Sequence, residues 1–447
     1  MNDKQDLTQG GIADKLVRYF LPIAAGTLFQ QLYNAVDAVI VGKFVGTVAL
    51  AAVGGSASHI INLIISFFTA LAGGAAVVIA QFFGARDESS MRRATGTAVA
   101  FCIAVGAVLG AVCIAMSRRF LLWTVCPEDT LEDAVTYLHI YFAGTVLVLL
   151  FNMESGVLRA VGDSRSPFIF LFICCLCNIG LDLVFVICFD MAVAGVAYAT
   201  VISQFISVIL TTWRLCTAKG AYRLELRNVR FNRRIIGKMM HLGVPAGLQE
   251  SMFGIANLIL QVAVNLLGTT AVAAWTLSSK IDGFYWALVS AAGMAITNFS
   301  GQNFGANRLD RVRQCEKVGL RLFVAITVGM SALLLTAGRA ALPLFTDDQA
   351  VVDATWIIMR NIVPFYFLWT YIEVISGVLR GVGDVVPPVI ICGLGACLLR
   401  ILWVVTVYAA VPTLQIVTLA FPVSWIVSGL AFMIYFRRGK WQRIYKA

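Results

Sequence analysis

The chain has 447 residues, 60% of them hydrophobic and 13% charged, with a mean hydropathy of +0.85. A soluble protein carries roughly 25% charged residues, so this composition excludes a soluble globular domain and points to an all-α polytopic membrane protein. The net charge of +10 would suit nucleic acid, but the charges sit in short segments between apolar runs, where they set topology instead.

The first fifteen residues are polar and of mixed charge (Asp3, Lys4, Asp6, Asp14, Lys15). The apolar run after them has no A-x-A cleavage pattern and reads as a retained first span. Runs of about 20 or more apolar residues mark membrane-crossing helices. Twelve are predicted, at 16–42, 49–82, 92–116, 133–157, 166–189, 193–215, 235–264, 271–300, 315–338, 352–377, 386–410 and 414–436.

The first span carries an acid, Asp37, well inside its apolar stretch Phe29–Gly42. A charge at such a depth costs at least ~2.5–3.5 kcal/mol on insertion scales, so it needs a partner or a purpose. With the N-terminus in the cytoplasm, 27 Lys and Arg fall on inner segments, chiefly the loop holding Arg214, Lys219, Arg223, Arg227, Arg230, Arg233, Arg234 and Lys238 and the tail holding Arg437, Arg438, Lys440, Arg443 and Lys446. Only five (Lys43, Arg118, Arg119, Arg339, Arg360) fall outside. This bias places both termini in the cytoplasm, and the inner charges face anionic lipid headgroups. The cysteines sit mostly in apolar runs, where they act as small hydrophobes, with no C-x2-C pairs for a metal.

The halves repeat. Ser155-Gly156-Val157-Leu158-Arg159-Ala160-Val161-Gly162-Asp163 recurs at an offset of 221 as Ser376-Gly377-Val378-Leu379-Arg380-Gly381-Val382-Gly383-Asp384, and Pro167 falls on Pro388. Gln81-x-Phe83-Gly84-Ala85 recurs as Gln302-x-Phe304-Gly305-Ala306 at the same offset, and Ala49-x-Ala51-Ala52 as Ala271-x-Ala273-Ala274 one residue further. Two six-helix lobes are therefore expected, 1–216 and 235–447, joined by a cytoplasmic loop at 217–234. An even number of helices makes the repeats parallel, related by an axis along the membrane normal.

Intramembrane polar groups of the first half are Asp37, Asn178, Asp182 and Thr200. Asn178 and Asp182 are four apart, hence on one helical face. Asp37 lies fifteen residues after Pro22, and Asp182 fifteen after Pro167, which at ~1.5 Å per residue puts both about 22 Å above those prolines. Thr200 falls at a similar level. Two carboxylates, an amide carbonyl and a hydroxyl are hard oxygen donors that suit a small alkali cation. Carboxylates sharing a low-dielectric site also repel, and one shared proton relieves that, so the set can take Na+ or H+. The plainer reading is hydrogen bonding between helices, most of all for Thr200.

The second half has no counterpart to this set. At the repeat offset Asn178 falls on Leu399, Asp182 on Trp403 and Thr200 on Phe421. It has its own polar residues: Glu250, Lys280, Asp282, Glu373 and Arg400. These are candidates for a second coupling site or for charges facing a cleft; the alternative is an ion-paired network that holds the lobe together. Arg159 with Asp163, and Arg380 with Asp384, are expected to pair across their cytoplasmic turns. Tyr33, Phe67, Phe68, Met153, Phe253, Tyr285, Trp286 and Met294 are candidate lining for an adaptable apolar cavity.

Pro22 leading into Gln31-Leu32-Tyr33-Asn34-x-x-Asp37-x-x-x-Val41-Gly42, then Gln81-x-x-Gly84-Ala85, Leu158-Arg159-Ala160-x-Gly162-Asp163 and Gly301-Gln302-Asn303-x-Gly305-Ala306 closely resemble multidrug and toxic compound extrusion (MATE) transporters. The resemblance runs from about residue 12 to 440. It implies a V-shaped two-lobe fold in a bacterial or archaeal cytoplasmic membrane. It implies an antiporter that exports organic, cationic or amphiphilic compounds in exchange for inward Na+ or H+, with no cofactor, no nucleic-acid partner and a monomeric state. The Asp37, Asn178, Asp182, Thr200 set matches the first-lobe cation site of the archaeal and DNA-damage-inducible members. Another branch places its coupling acid on the seventh and tenth helices, which carry Glu250 and Glu373; Glu250, five residues after Pro245, is nearer the cytoplasmic end than that branch's acid. Pro22 and Gly26 are the expected hinge of the first helix. The rivals are a lipid-linked oligosaccharide flippase of the same superfamily, an exporter of one metabolite, and a membrane-embedded enzyme. Acids in the first lobe favour cationic cargo over a diphosphate. No H-E-x-x-H or G-x-S-x-G occurs, and the three His (His59, His139, His241) are scattered, so no enzyme is expected.

Overall fold

The computed structural model describes residues 6–46, 49, 52–124 and 126–443; Asp3, Lys4, Ala51 and Lys446, invoked above, lie outside them. Among the described residues every regular element is a helix. Lipid demands this, because only a helix or a closed barrel satisfies its backbone groups without water.

In chain order the long helices are α1 (Ile12–Ile40), α2 (Val53–Gly84), α3 (Glu88–Trp123), α4 (Glu128–Ala143), α5 (Thr145–Ala160), α6 (Arg165–Cys188) and α7 (Ala192–Cys216). They continue as α8 (Arg233–Asn265), α9 (Thr269–Gly305), α10 (Leu309–Leu344), α11 (Gln349–Val382), α12 (Val386–Tyr408) and α13 (Leu414–Arg437). Among the described residues, eight helices are long and apolar enough to cross a membrane, and α4 with α5, bent by 48°, make a ninth. α1, α8 and α9 have the length for a span, with 29, 33 and 37 residues. Their polar residues keep composition alone from marking them, so the expected twelve rests on their length.

The chain divides into two compact units. The first holds Leu21–Gly247 with residues 6–7; the second holds Thr8–Phe20 with residues 248–443. The basic loop after α7 and the first half of α8 thus group with the first unit. The loop lies on α3, where Thr97 Oγ1 donates to the Arg230 carbonyl at 3.0 Å and Arg92 meets Glu225 at 3.2 Å. α2 and α8 cross there at glycine. A Cβ on Gly74 would come 2.6 Å from the Gly243 nitrogen, and one on Gly243 would come 2.5 Å from the Leu71 carbonyl. Small residues let membrane helices approach this closely, and dispersion between backbones rewards it. In the second unit the start of α1 is tied down by Arg308, which donates to the Thr8 carbonyl at 2.8 Å, and by Arg311, which donates to Gly10 at 3.0 Å.

The repeat is visible in the backbone. Gly162 and Gly383, 221 apart, have φ of 89° and 94° and end α5 and α11 alike. The Asp163 N–H returns to Leu158 at 2.9 Å, and the Asp384 N–H to Leu379 at 2.8 Å. Arg86 (φ 56°) and Asn307 (φ 59°), also 221 apart, turn the chain after α2 and α9.

The acids of that repeated turn take partners beyond those expected. Asp163 pairs with Arg214 at 3.1 Å and accepts the N–H and hydroxyl of Ser166. Arg380 pairs with Glu373, and Asp384 accepts the Tyr435 hydroxyl at 2.6 Å. Seven residues are nearly two helical turns, so Glu373 and Arg380 share a face, which the loop residue Asp384 does not. Of the residues proposed for an apolar cavity, Met153 and Tyr285 are each 1% exposed and line small apolar pockets, Met153 with Leu71 and Met239 and Tyr285 with Phe323 and Met330.

Candidate cation site

Asp37 on α1, Asn178 and Asp182 on α6 and Thr200 on α7 all belong to the first unit, and the structure brings them together. Asn178 and Asp182 are completely buried. With its amide oriented to make both bonds, Asn178 donates to Asp182 Oδ2 at 2.9 Å and accepts the Thr200 N–H at 3.2 Å. The Asp37 and Asp182 carboxylates face each other within hydrogen-bond reach. Oδ1 of each is shielded from solvent and has no hydrogen-bond donor. Two such oxygens are costly to bury, and a proton or a small cation between them removes that cost. The phenols of Tyr33 and Tyr137 lie close enough to interact electrostatically with both acids.

Thr200 contributes through its backbone. Its hydroxyl donates to the Val196 carbonyl one turn back, at 3.0 Å, which leaves only the oxygen lone pairs for a cation. Both acid-bearing helices loosen just past their carboxylates, into π-helical turns at Val41–Val45 and Val184–Cys188. Such turns recur at functional sites, where they re-aim side chains and free a carbonyl. One turn beyond the site, Val41, Val186 and Val196 belong to a single buried apolar cluster that also holds Tyr137 and Leu138, so that side is dry. Of the expected hinge, Pro22 lies inside a continuous α1, just past the Phe20–Leu21 division between the units. Gly26 faces Phe168 and Leu171 of α6.

Several second-unit candidates act on common neighbours: Glu373 and Asp282 on Tyr285, Glu373 and Arg400 on Cys392, and Glu250 and Arg400 on Cys397. Glu373 is ion-paired to Arg380, with Glu250 near enough to act on both. Asp282 accepts the hydroxyl of Tyr366, whose ring stacks on Tyr285 at 3.8 Å. Lys280 is exposed. Arg400 is 4% exposed. It donates to Ser424 at 3.0 Å and lies over the rings of Phe421 and Trp425, at 4.3 and 6.0 Å.

One acid escaped the sequence reading. Glu154 on α5 is 1% exposed and accepts the hydroxyls of Thr211 (2.5 Å) and Thr212 (2.8 Å) on α7. Its signal was the one that exposed Asp37, a carboxylate inside a predicted span, here 133–157.

The MatE family model matches twice, over residues 22–184 and 245–406, once in each half. The chain is 25% identical to the probable multidrug resistance protein YoeA of Bacillus subtilis, over 83% of this chain and 82% of that one. It is 23% identical to the multidrug export protein MepA of Staphylococcus aureus, over 87% and 84%. A solved structure of a MATE protein in complex with MaL6 superposes with a TM-score of 0.92 at 20% identity, covering all of both chains. An outward-facing multidrug resistance MATE transporter of the MOP superfamily superposes with a TM-score of 0.91, over 99% of each. Two lobes, a site of oxygen donors in one of them and a family model that matches both halves agree: the chain belongs to the MatE family of multidrug and toxic compound extrusion transporters, and is a transporter, not an enzyme.

Proposed function

We propose that this protein is an antiporter that exports organic, cationic or amphiphilic compounds in exchange for inward Na+ or H+ bound at Asp37, Asn178, Asp182 and Thr200. The observation that carries the reading is the pair of facing carboxylates, Asp37 and Asp182, with an undonated oxygen on each. A bound cation cancels their repulsion and its loss restores it, so occupancy and the conformation of α1 are linked. Relatives named for multidrug resistance and export support the cargo class. The Lys and Arg bias supports a cytoplasmic-membrane location with both termini inside. The functional unit is the monomer, and no cofactor beyond the coupling ion is needed. Pro22 and Gly26 are the points at which α1 would bend.

The test uses proteoliposomes loaded with an ethidium-like dye under an imposed Na+ or pH gradient. Wild type should move dye with one gradient, and Asp37→Asn should lose at least tenfold of that rate. Undiminished gradient-driven transport in Asp37→Asn would sink the mechanism.

A further inference from the structure

α7 carries a line of hydroxyls on one face. Thr200, Ser203, Ser207 and Thr211 are spaced three, four and four residues apart, so they stack along the helix. Ser203 Oγ donates to the Thr200 carbonyl at 2.9 Å, Ser207 Oγ to Ser203 at 3.2 Å, and Thr211 Oγ1 lies 2.9 Å from the Ser207 carbonyl. Ser203, Ser207 and Thr211 are all within 1% of full burial. Cys174 of α6 sits against Ser203 and Ser207. One end of the line is Thr200, whose N–H is held by Asn178 of the cation site. The other end, eleven residues and roughly 16 Å away, is Thr211, bonded to Glu154.

Among the described residues Glu154 has no counter-ion. From the elements packed against α5, the titratable groups that act on it are Cys102 of α3 and Cys216 of α7, both thiols; no Lys, Arg or His does so. Its bonds come from two neutral hydroxyls. Two neutral donors do not offset the loss of hydration of a full charge inside a membrane bundle. The Thr211 hydroxyl has a single proton and lies within hydrogen-bond distance of both Glu154 Oε2 and the Ser207 carbonyl. A proton on Oε2 lets both contacts be bonds at once, with Glu154 donating to Thr211 and Thr211 donating to Ser207.

We propose that Glu154 is a second proton-binding site of the first unit, separate from the Asp37–Asp182 pair, and that pH-driven efflux uses it. Its part in efflux rests on the antiport reading; the proton site itself does not.

The experiment is an infrared pH titration of the full-length protein, with dye efflux from proteoliposomes in parallel. A neutral carboxylic-acid carbonyl band should persist in Asp37→Asn/Asp182→Asn and vanish in Glu154→Gln. Thr211→Val, which keeps the acid and removes one of its two partners, should shift the same band, so the assignment survives poor folding of Glu154→Gln. Gln keeps bonding to both threonines, yet pH-driven efflux should fall at least tenfold. A band that is unchanged in Glu154→Gln, or efflux equal to wild type, overturns the proposal. A band lost in Glu154→Gln beside undiminished efflux in Asp37→Asn would sink antiport at Asp37 and leave the proton site standing.

Discussion

Asn178 and Asp182, one turn apart on α6, are joined by an amide-to-carboxylate bond of 2.9 Å, and the same amide holds the N–H of Thr200 at 3.2 Å. Asn178 therefore fixes the position of one acid and the distance between two helices. Asn178→Leu, the residue that the other half carries at Leu399, removes both bonds and leaves Asp182 without its donor. Groups that orient a ligand are typically worth 10–100-fold in ion affinity. The expected result is a loss of about that size in the Na+ or H+ concentration that half-saturates efflux. Unchanged ion dependence would mean that the amide is only structural.

Asp163 ends α5 as a hub, 6% exposed, with Arg214 at 3.1 Å and the N–H and hydroxyl of Ser166 at 3.0 and 2.7 Å. Asp163→Ala leaves those donors unanswered, at a cost of about 1–3 kcal/mol. Arg214→Ala removes one of them and leaves the other two in place. Thermal unfolding in detergent should rank the variants in that order, with Asp163→Ala the less stable.

Gly383 ends α11 at φ 94°, where a Cβ meets the following carbonyl. Gly383→Ala should cost roughly 1–2 kcal/mol. Gly329 lies inside α10 with open space around its missing Cβ. Gly329→Ala should stabilise by up to about 1 kcal/mol through helix propensity alone. Opposite shifts of the unfolding midpoint check both; a Gly383→Ala protein as stable as wild type would show that the turn has another geometry open to it.

Much of this was legible because helices are periodic. Four residues put Asn178 and Asp182 on one face, and fifteen residues from matched prolines put Asp37 and Asp182 at one depth. The offset of 221 found in the repeated motif returns as positive φ at Gly162 and Gly383. What was not legible depends on partners far along the chain or on a choice between equals. Glu154 meets hydroxyls 57 and 58 residues away. Arg380 had two acids within reach in sequence and took Glu373, on its own helical face, over Asp384. The Thr200 hydroxyl gives its proton to its own helix, as hydroxyls in helices commonly do, and keeps its lone pairs for a cation.

Arg400 is the least compensated charge among the described residues of the second unit. It is 4% exposed, lies over Phe421 and Trp425, has one hydroxyl partner in Ser424, and its Nη2 has no hydrogen-bond partner. Aromatic faces offset part of the cost of a buried guanidinium, by ~2 kcal/mol or more each when desolvated. They do not replace a carboxylate. A Met side chain of similar length would fill the same space among Phe421, Trp425, Cys392 and Cys397 with no charge to desolvate, so Arg400→Met should raise the unfolding midpoint. An intramembrane charge that lowers stability persists where function uses it, so the same variant should lose dye efflux in proteoliposomes while Arg400→Lys, which keeps the charge, retains more of it. A lower midpoint with full efflux would show the opposite: a cation held for packing, stabilised by its two rings and by Ser424.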